Sequence, residues 1–172
     1  PTATFEIDGE RVSSSRVRDA LGDGDLVRAA RLLGRDYAIS GRVVRGQQLG
    51  RELGAPTANV ELKRLRSPLA GVFNVRVDGS GLDGCPGVAN VGTRPSVSNS
   101  TRANLEVHLL EGSPDLYGQR IDVRFVHRSR PEKKYDSLGV LPDAIRDDID
   151  TARRWFQCNP PAPHNSMDSS SK

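Results

Sequence analysis

The stretch Leu105–Glu106–Val107–His108–Leu109 alternates apolar and polar side chains without a break. Successive side chains on a strand point to opposite faces, so Leu105, Val107 and Leu109 share one face while Glu106 and His108 share the other. Two more segments repeat the pattern: Phe73, Val75 and Val77 in GVFNVRV, and Ile121, Val123 and Phe125 in IDVRF. The runs between them carry Gly, Pro and Asp, which favour turns. From Tyr37 onward the chain is therefore expected to be all-β, an antiparallel barrel closing on itself with these faces as its core.

Beyond Ser137 the period lengthens. Leu141, Ile145, Ile149, Ala152 and Phe156 form one stripe, with Asp147, Asp148, Arg153 and Arg154 elsewhere, which predicts one amphipathic helix against the barrel. Gly139 and Pro142 are expected to delay its first turn, since proline is tolerated only near a helix start. Upstream, Val17, Leu21, Leu26, Ala29, Ala30, Leu32 and Leu33 predict two short helices broken at Gly22 to Gly24, after a strand and turn from Phe5 to Arg18. The last residues, CNPPAPHNSMDSSSK (158–172), have too few apolar groups to offset ordering entropy and are expected to be a disordered tail.

At 172 residues, 35% hydrophobic and 27% charged, the chain has room for one core plus appendages. No apolar run approaches the roughly 20 residues of a spanning helix, and the amino end lacks a secretory signal, so a cytoplasmic protein without membrane contact is expected. Its two cysteines, Cys85 and Cys158, form neither a disulfide framework nor a metal pattern. A net charge of +3 suggests anionic partners. With 5% aromatics and no Lys/Arg stripe, nucleic acid is not the expected one.

Chemistry is expected in GRVVRGQQLGRELGAPTAN, Gly41 to Asn59. Glycines at 41, 46, 50 and 54 let backbone N–H groups approach an anion, and Arg42, Arg45 and Arg51 add permanent positive charge. Thr57 and Asn59, two residues apart, offer hard oxygen donors of the kind magnesium accepts beside substrate phosphates. The same residues also suit a hairpin connection followed by a strand start, because no Lys-Ser/Thr pair follows the glycines as in a Walker loop.

The segment resembles the signature of riboflavin kinases. Four further stretches agree in order: GVFNVRV from Gly71, GVANVGTRPSV from Gly87, LEVHLLEG from Leu105 and DLYGQRIDVRFVHRSRPEKKYDSL from Asp115. Upstream, VSSSRVRDALGDGDLVRAARLLGR is similar to the closing segment of the FMN adenylyltransferase module of bacterial bifunctional FAD synthetases. The resemblance implies a six-stranded Greek-key barrel with a C-terminal helix, preceded by short N-terminal helices. It divides the chain into a remnant of the adenylyltransferase module and linker (1–36), the kinase unit (37–157) and the tail (158–172).

It further implies phosphoryl transfer from ATP to riboflavin, giving ADP and FMN with Mg²⁺. Glu106 would be the base, Gly46 and Arg51 would hold the nucleotide phosphates, Thr57 would serve both the nucleotide and, with Asn59, the metal, and Tyr117 would wall the adenine. Arg130, Lys133 and Tyr135, from a loop after the last strand, would hold flavin. His108 and Lys134 receive no chemical part. The segments 45 to 55 and 127 to 136 are expected to close over the ligands. Ser13, Ser14, Ser15 and Arg16 match a nucleotide-binding stretch of the adenylyltransferase module, read here as vestigial. That module's His-containing phosphate motif is absent and the chain starts without Met, so it reads as the back end of a longer enzyme without FMN adenylylation of its own. Relatives often carry Phe before PTAN and Tyr at position 73, where this chain has Ala55 and Phe73. Two rivals stand beside this reading: a non-catalytic flavin- or nucleotide-binding barrel, and an OB-like nucleic-acid module.

Overall fold

A computed structural model describes residues 6–7, 9–46, 56–62, 67–95, 101–133 and 141–160. A two-stranded ribbon, β1 (Glu6–Ile7) and β2 (Glu10–Arg11), leads into α1 (Ser14–Asp23) and α2 (Leu26–Leu33). Strands β3 (Ala38–Val44), β4 (Ala58–Val60), β5 (Gly71–Gly79), β6 (Leu82–Pro95), β7 (Thr101–Leu109) and β8 (Arg120–Arg130) follow, then helix α3 (Leu141–Cys158).

The six strands form a closed, wholly antiparallel barrel in the order β3-β4-β7-β6-β5-β8, with β8 pairing back to β3. Strands β5, β6 and β7 run as consecutive neighbours and β8 returns beside β5, which is the Greek-key order. Closure leaves the barrel strands without an unpaired edge.

The alternating faces read from the sequence are the interior. Phe73, Val75, Val77, Leu105, Val107, Ile121, Val123 and Phe125 are each at most 1% exposed, and Phe73 meets Phe125 edge-to-face at 5.3 Å. Burying each such side chain contributes about 1.5–3 kcal/mol, so the alternation is the main determinant of which way each strand faces.

Helices α1 and α2 join the same core through Ala20, Leu21, Leu26 and Ala29. Two differences from the sequence reading arise here. The chain is already helical from Ser14, because the Ser13 side chain accepts from Arg16 N at 3.3 Å as an N-cap, so strand character ends at Arg11. The helix break lies at Gly24–Asp25: Gly22 stays inside α1, Gly24 adopts φ 77° as C-cap, and the Asp25 side chain accepts from Arg28 N at 2.9 Å to start α2.

Helix α3 lies on the outside of the barrel, where Ala152 packs with Val72, Val88 and Leu110. Trp155 stacks on His127 at 5.1 Å, and Arg130 of β8 grips Asp148 through Nε at 2.8 Å and Nη2 at 2.6 Å. Pro142 stands at the second residue of α3, where its missing N–H costs no helical bond. The tail from 161 on lies outside the described residues.

Candidate active site

Beyond the part covered by α3, the outer face of β4, β7 and β6 carries polar side chains, because Val60, Leu105, Val107, Ala89 and Val91 face the interior. In the antiparallel register Asn59 stands opposite Glu106, Val60 opposite Leu105 and Ala58 opposite Val107. On the other flank Asn90 of β6 faces Glu106 and Gly92 faces Asn104. Leu105 and Val107 point inward, so Asn104, Glu106 and His108 point outward with Asn59 and Asn90.

Three contacts hold this face in shape. Asn104 Nδ2 donates to Glu106 Oε1 at 2.9 Å, fixing one carboxylate oxygen from two residues away on the same strand face. His108 Nδ1 bonds the Pro56 carbonyl at 2.9 Å; a carbonyl can only accept, so this nitrogen carries the proton. The bond ties the residue before Thr57 to β7. Gly46 lies against the Asn59 amide so closely that a Cβ there would sit 2.1 Å from Nδ2 and 2.3 Å from Cγ. Asn59 is only 8% exposed, an amide held between two strands and a glycine lid.

Beside this face opens a cleft of about 420 Å³ at the rim of the barrel, lined by Val43, Pro56, Thr57, Leu109, Leu116 and Tyr117 among others. Its outer wall is zipped to β3: Gly118 N donates to Val43 O at 2.9 Å, Val43 N to Gln119 O at 2.8 Å, and Arg42 Nη1 to Gly118 O at 3.0 Å. The Arg45 guanidinium lies 5.6 Å above the Tyr117 ring. The cleft is thus walled by apolar and aromatic groups on one part and by Thr57, Ser113 and Asp115 on another, and Thr57 stands two residues from Asn59.

The structure brings together Gly46, Thr57, Asn59 and Glu106, with Tyr117 in the adjoining cleft. Arg51 and Tyr135 lie outside the described residues. Arg130 and residues 127–129 are not loop: β8 continues through Arg130, because β5 pairs with it as far as Val72 opposite Arg130. The expected closing segment 127–136 therefore begins no earlier than Pro131. Arg130 is engaged by Asp148, and Lys133 sits exposed three residues further on. Of the serines read as vestigial, Ser13 caps α1.

Two residues were missed from sequence. Asn104 was legible, being two residues before Glu106 in the same alternation. Asn90 was not, because only the β6–β7 register brings it beside Glu106. Among the described residues no group of three or more His, Cys, Asp or Glu is placed to hold a metal ion, and no helix is long and apolar enough to cross a membrane.

The model of the family described as Flavokinase, riboflavin kinase, matches residues 33–156. The chain is 52% identical over 150 residues to the bifunctional riboflavin kinase/FMN adenylyltransferase of Pseudomonas fluorescens, covering 87% of this chain and 48% of that protein. To the protein of the same name from Escherichia coli strain K12 it is 50% identical over 161 residues, covering 94% of this chain and 51% of the relative. It also resembles the crystal structure of a macrolide-efflux protein from Streptococcus pneumoniae, with TM-score 0.75 and 33% identity over 88% of this chain and 50% of that one. The chain spans about half the length of the curated relatives it matches.

Proposed function

The chain belongs to the riboflavin kinase family, and from that premise we propose that it transfers the γ-phosphoryl group of ATP to the terminal hydroxyl of the ribityl chain of riboflavin, giving ADP and FMN. The observation that carries the reading is the pairing of Asn59 with Glu106 on one face, beside a cleft of mixed polar and apolar lining that includes Thr57.

Phosphoryl transfer to an alcohol asks the protein for positioning, charge neutralisation and a proton acceptor. Glu106 takes the hydroxyl proton, and the Asn104 amide keeps its carboxylate aimed. The adenine enters the cleft against Tyr117, which directs the phosphates past Thr57 toward Glu106. Gly46 and Arg51 are assigned to those phosphates, and Arg130, Lys133 and Tyr135 to flavin.

A divalent metal, Mg²⁺, fits the donor set. The Thr57 hydroxyl and the Asn59 carbonyl oxygen are hard, neutral ligands, and a site without clustered protein carboxylates suits an ion whose charge is matched by substrate phosphates. When bound, the ion supplies neutralisation of phosphate charge. The residues' own part is to hold their oxygens still: Gly46 covers Asn59, and His108 anchors the strand start before Thr57.

Residues 1–36 are assigned to the end of an adenylyltransferase module and 37–157 to the kinase unit; FMN adenylylation is not assigned to residues 1–172. A cytoplasmic setting, where ATP is present, agrees with this chemistry. Incubation with ATP, Mg²⁺ and riboflavin, followed by separation of FMN from riboflavin, tests the proposal. Binding of both ligands without FMN formation would leave a ligand-binding barrel instead.

A further inference from the structure

We propose that Glu132 is a substrate-binding residue whose carboxylate accepts hydrogen bonds from the hydroxyls of a polyol chain ending at Glu106, so that the site selects a flavin carrying such a chain. The inference deepens the kinase reading and rests on it.

Glu132 is placed by its neighbours on both sides. Arg130 forks onto Asp148 of α3 and also donates through Nη1 to the Pro131 carbonyl at 3.2 Å, fixing the chain as it leaves β8. Gly71, at φ 129°, lets β5 approach so closely that a Cβ there would meet Arg130 O at 2.5 Å, Pro131 Cα at 3.3 Å and Glu132 N at 3.4 Å. The side chain of Glu132 then lies along β6: a Cβ on Gly92 would meet its Oε1 at 2.5 Å. Gly92 is buried on the outward side of β6, and the atoms covering the position of its missing side chain are those of that carboxylate.

Among the described residues no hydrogen bond or ion pair engages the Glu132 carboxylate. It is an exposed acceptor that lies against Gly92 and that no donor among the described residues engages. Its position gives the donors a chemistry: Gly92 faces Asn104, and Asn90 faces Glu106, so Glu132 stands about 7 Å along the strands from the proposed base. A chain of five carbons, with C–C bonds of about 1.5 Å, covers that distance when its terminal hydroxyl sits at Glu106. Hydroxyls along such a chain meet a carboxylate at each end, and hydrogen bonds to an ionised acceptor are the stronger kind.

The test is a flavin-fluorescence titration of the 172-residue chain with MgADP present, comparing riboflavin with lumiflavin, which has the same ring system and a methyl group in place of the ribityl chain. In Glu132→Ala the Kd for riboflavin rises about tenfold, the value of one charge-assisted hydrogen bond, while that for lumiflavin stays within about twofold. Gly92→Ala, which pushes the carboxylate off β6 without removing it, shifts riboflavin in the same direction, and KM for ATP is unmoved in both. An unchanged riboflavin Kd in Glu132→Ala, or equal weakening of both flavins, overturns the inference and leaves the kinase reading standing. A wild-type chain that neither binds riboflavin nor forms FMN overturns the kinase reading and this inference with it.

Discussion

Asn59 and Glu106 are direct register partners on adjacent antiparallel strands, although 47 positions separate them in the chain (106 − 59). Cross-strand partners have Cβ atoms about 4.5–5.5 Å apart, so their side chains share one patch of the outer barrel surface. A neutral oxygen donor and a carboxylate held on rigid strands are placed with less positional freedom than loop residues have; the first three substitutions below act on that relationship or on what supports it, and the fourth on the docking of α3.

Glu106→Gln keeps shape and the Asn104 contact while removing the proposed proton acceptor. Turnover should fall by about 10²–10⁴, the usual worth of a general base, with riboflavin and ATP still bound. Steady-state FMN formation alongside a binding titration checks this; undiminished turnover removes Glu106 from its role.

Gly46→Ala introduces a methyl group where the Asn59 amide lies, 2.1 Å from Nδ2. Asn59 has to swing away. The expected result is a raised Mg²⁺ requirement and a raised KM for MgATP, with little change in flavin affinity. A magnesium titration of the variant whose half-saturation coincides with that of the wild type contradicts the assignment of Asn59 to the metal.

His108→Ala cuts the bond to the Pro56 carbonyl, and its loss should cost about 0.5–1.5 kcal/mol of stability. It should also loosen Thr57, so that KM for MgATP rises more than kcat falls. His108→Gln, which can still donate to the carbonyl, should recover part of both. If the alanine variant loses turnover as completely as Glu106→Gln, His108 has a chemical part rather than a positioning one.

Asp148→Ala leaves Arg130 without its fork. The pair is partly shielded, with side-chain exposures of 29% and 15%, and hydrogen bonds to charged groups are worth about 1.5–3 kcal/mol. Denaturant unfolding should show a loss in that range, and the near-ultraviolet circular dichroism of Trp155, stacked on His127, should weaken as α3 loosens. A variant as stable as the wild type, with an unaltered aromatic signal, shows that the Arg130–Asp148 fork is not what holds α3 on the barrel.

Most of the barrel was legible because alternation is a local property with a large energetic consequence. Phe73, Val75 and Val77, or Ile121, Val123 and Phe125, have only one burial-compatible orientation, which each strand's own alternation sets independently of its pairing, and all six are interior. The amphipathic stripe of α3 was legible for the same reason. Less legible were element boundaries: the Ser13 cap that starts α1 early, the Gly24–Asp25 junction, and the extension of β8 through Arg130, which pairing with β5 carries into what composition suggests is a loop.

What the sequence determined by itself is the set of side chains available to each face: it puts Glu106 opposite in direction to Leu105 and Val107, and Asn59 opposite in direction to Val60, because a pleated strand leaves no other arrangement. What only the tertiary structure decided is which of these faces meet. Register is a property of two strands at once, so the meeting of Asn59, Asn90 and Glu106, the seating of Gly46 on an amide, and the engagement of Arg130 by a helix carboxylate arise from closing the barrel and docking α3 on it.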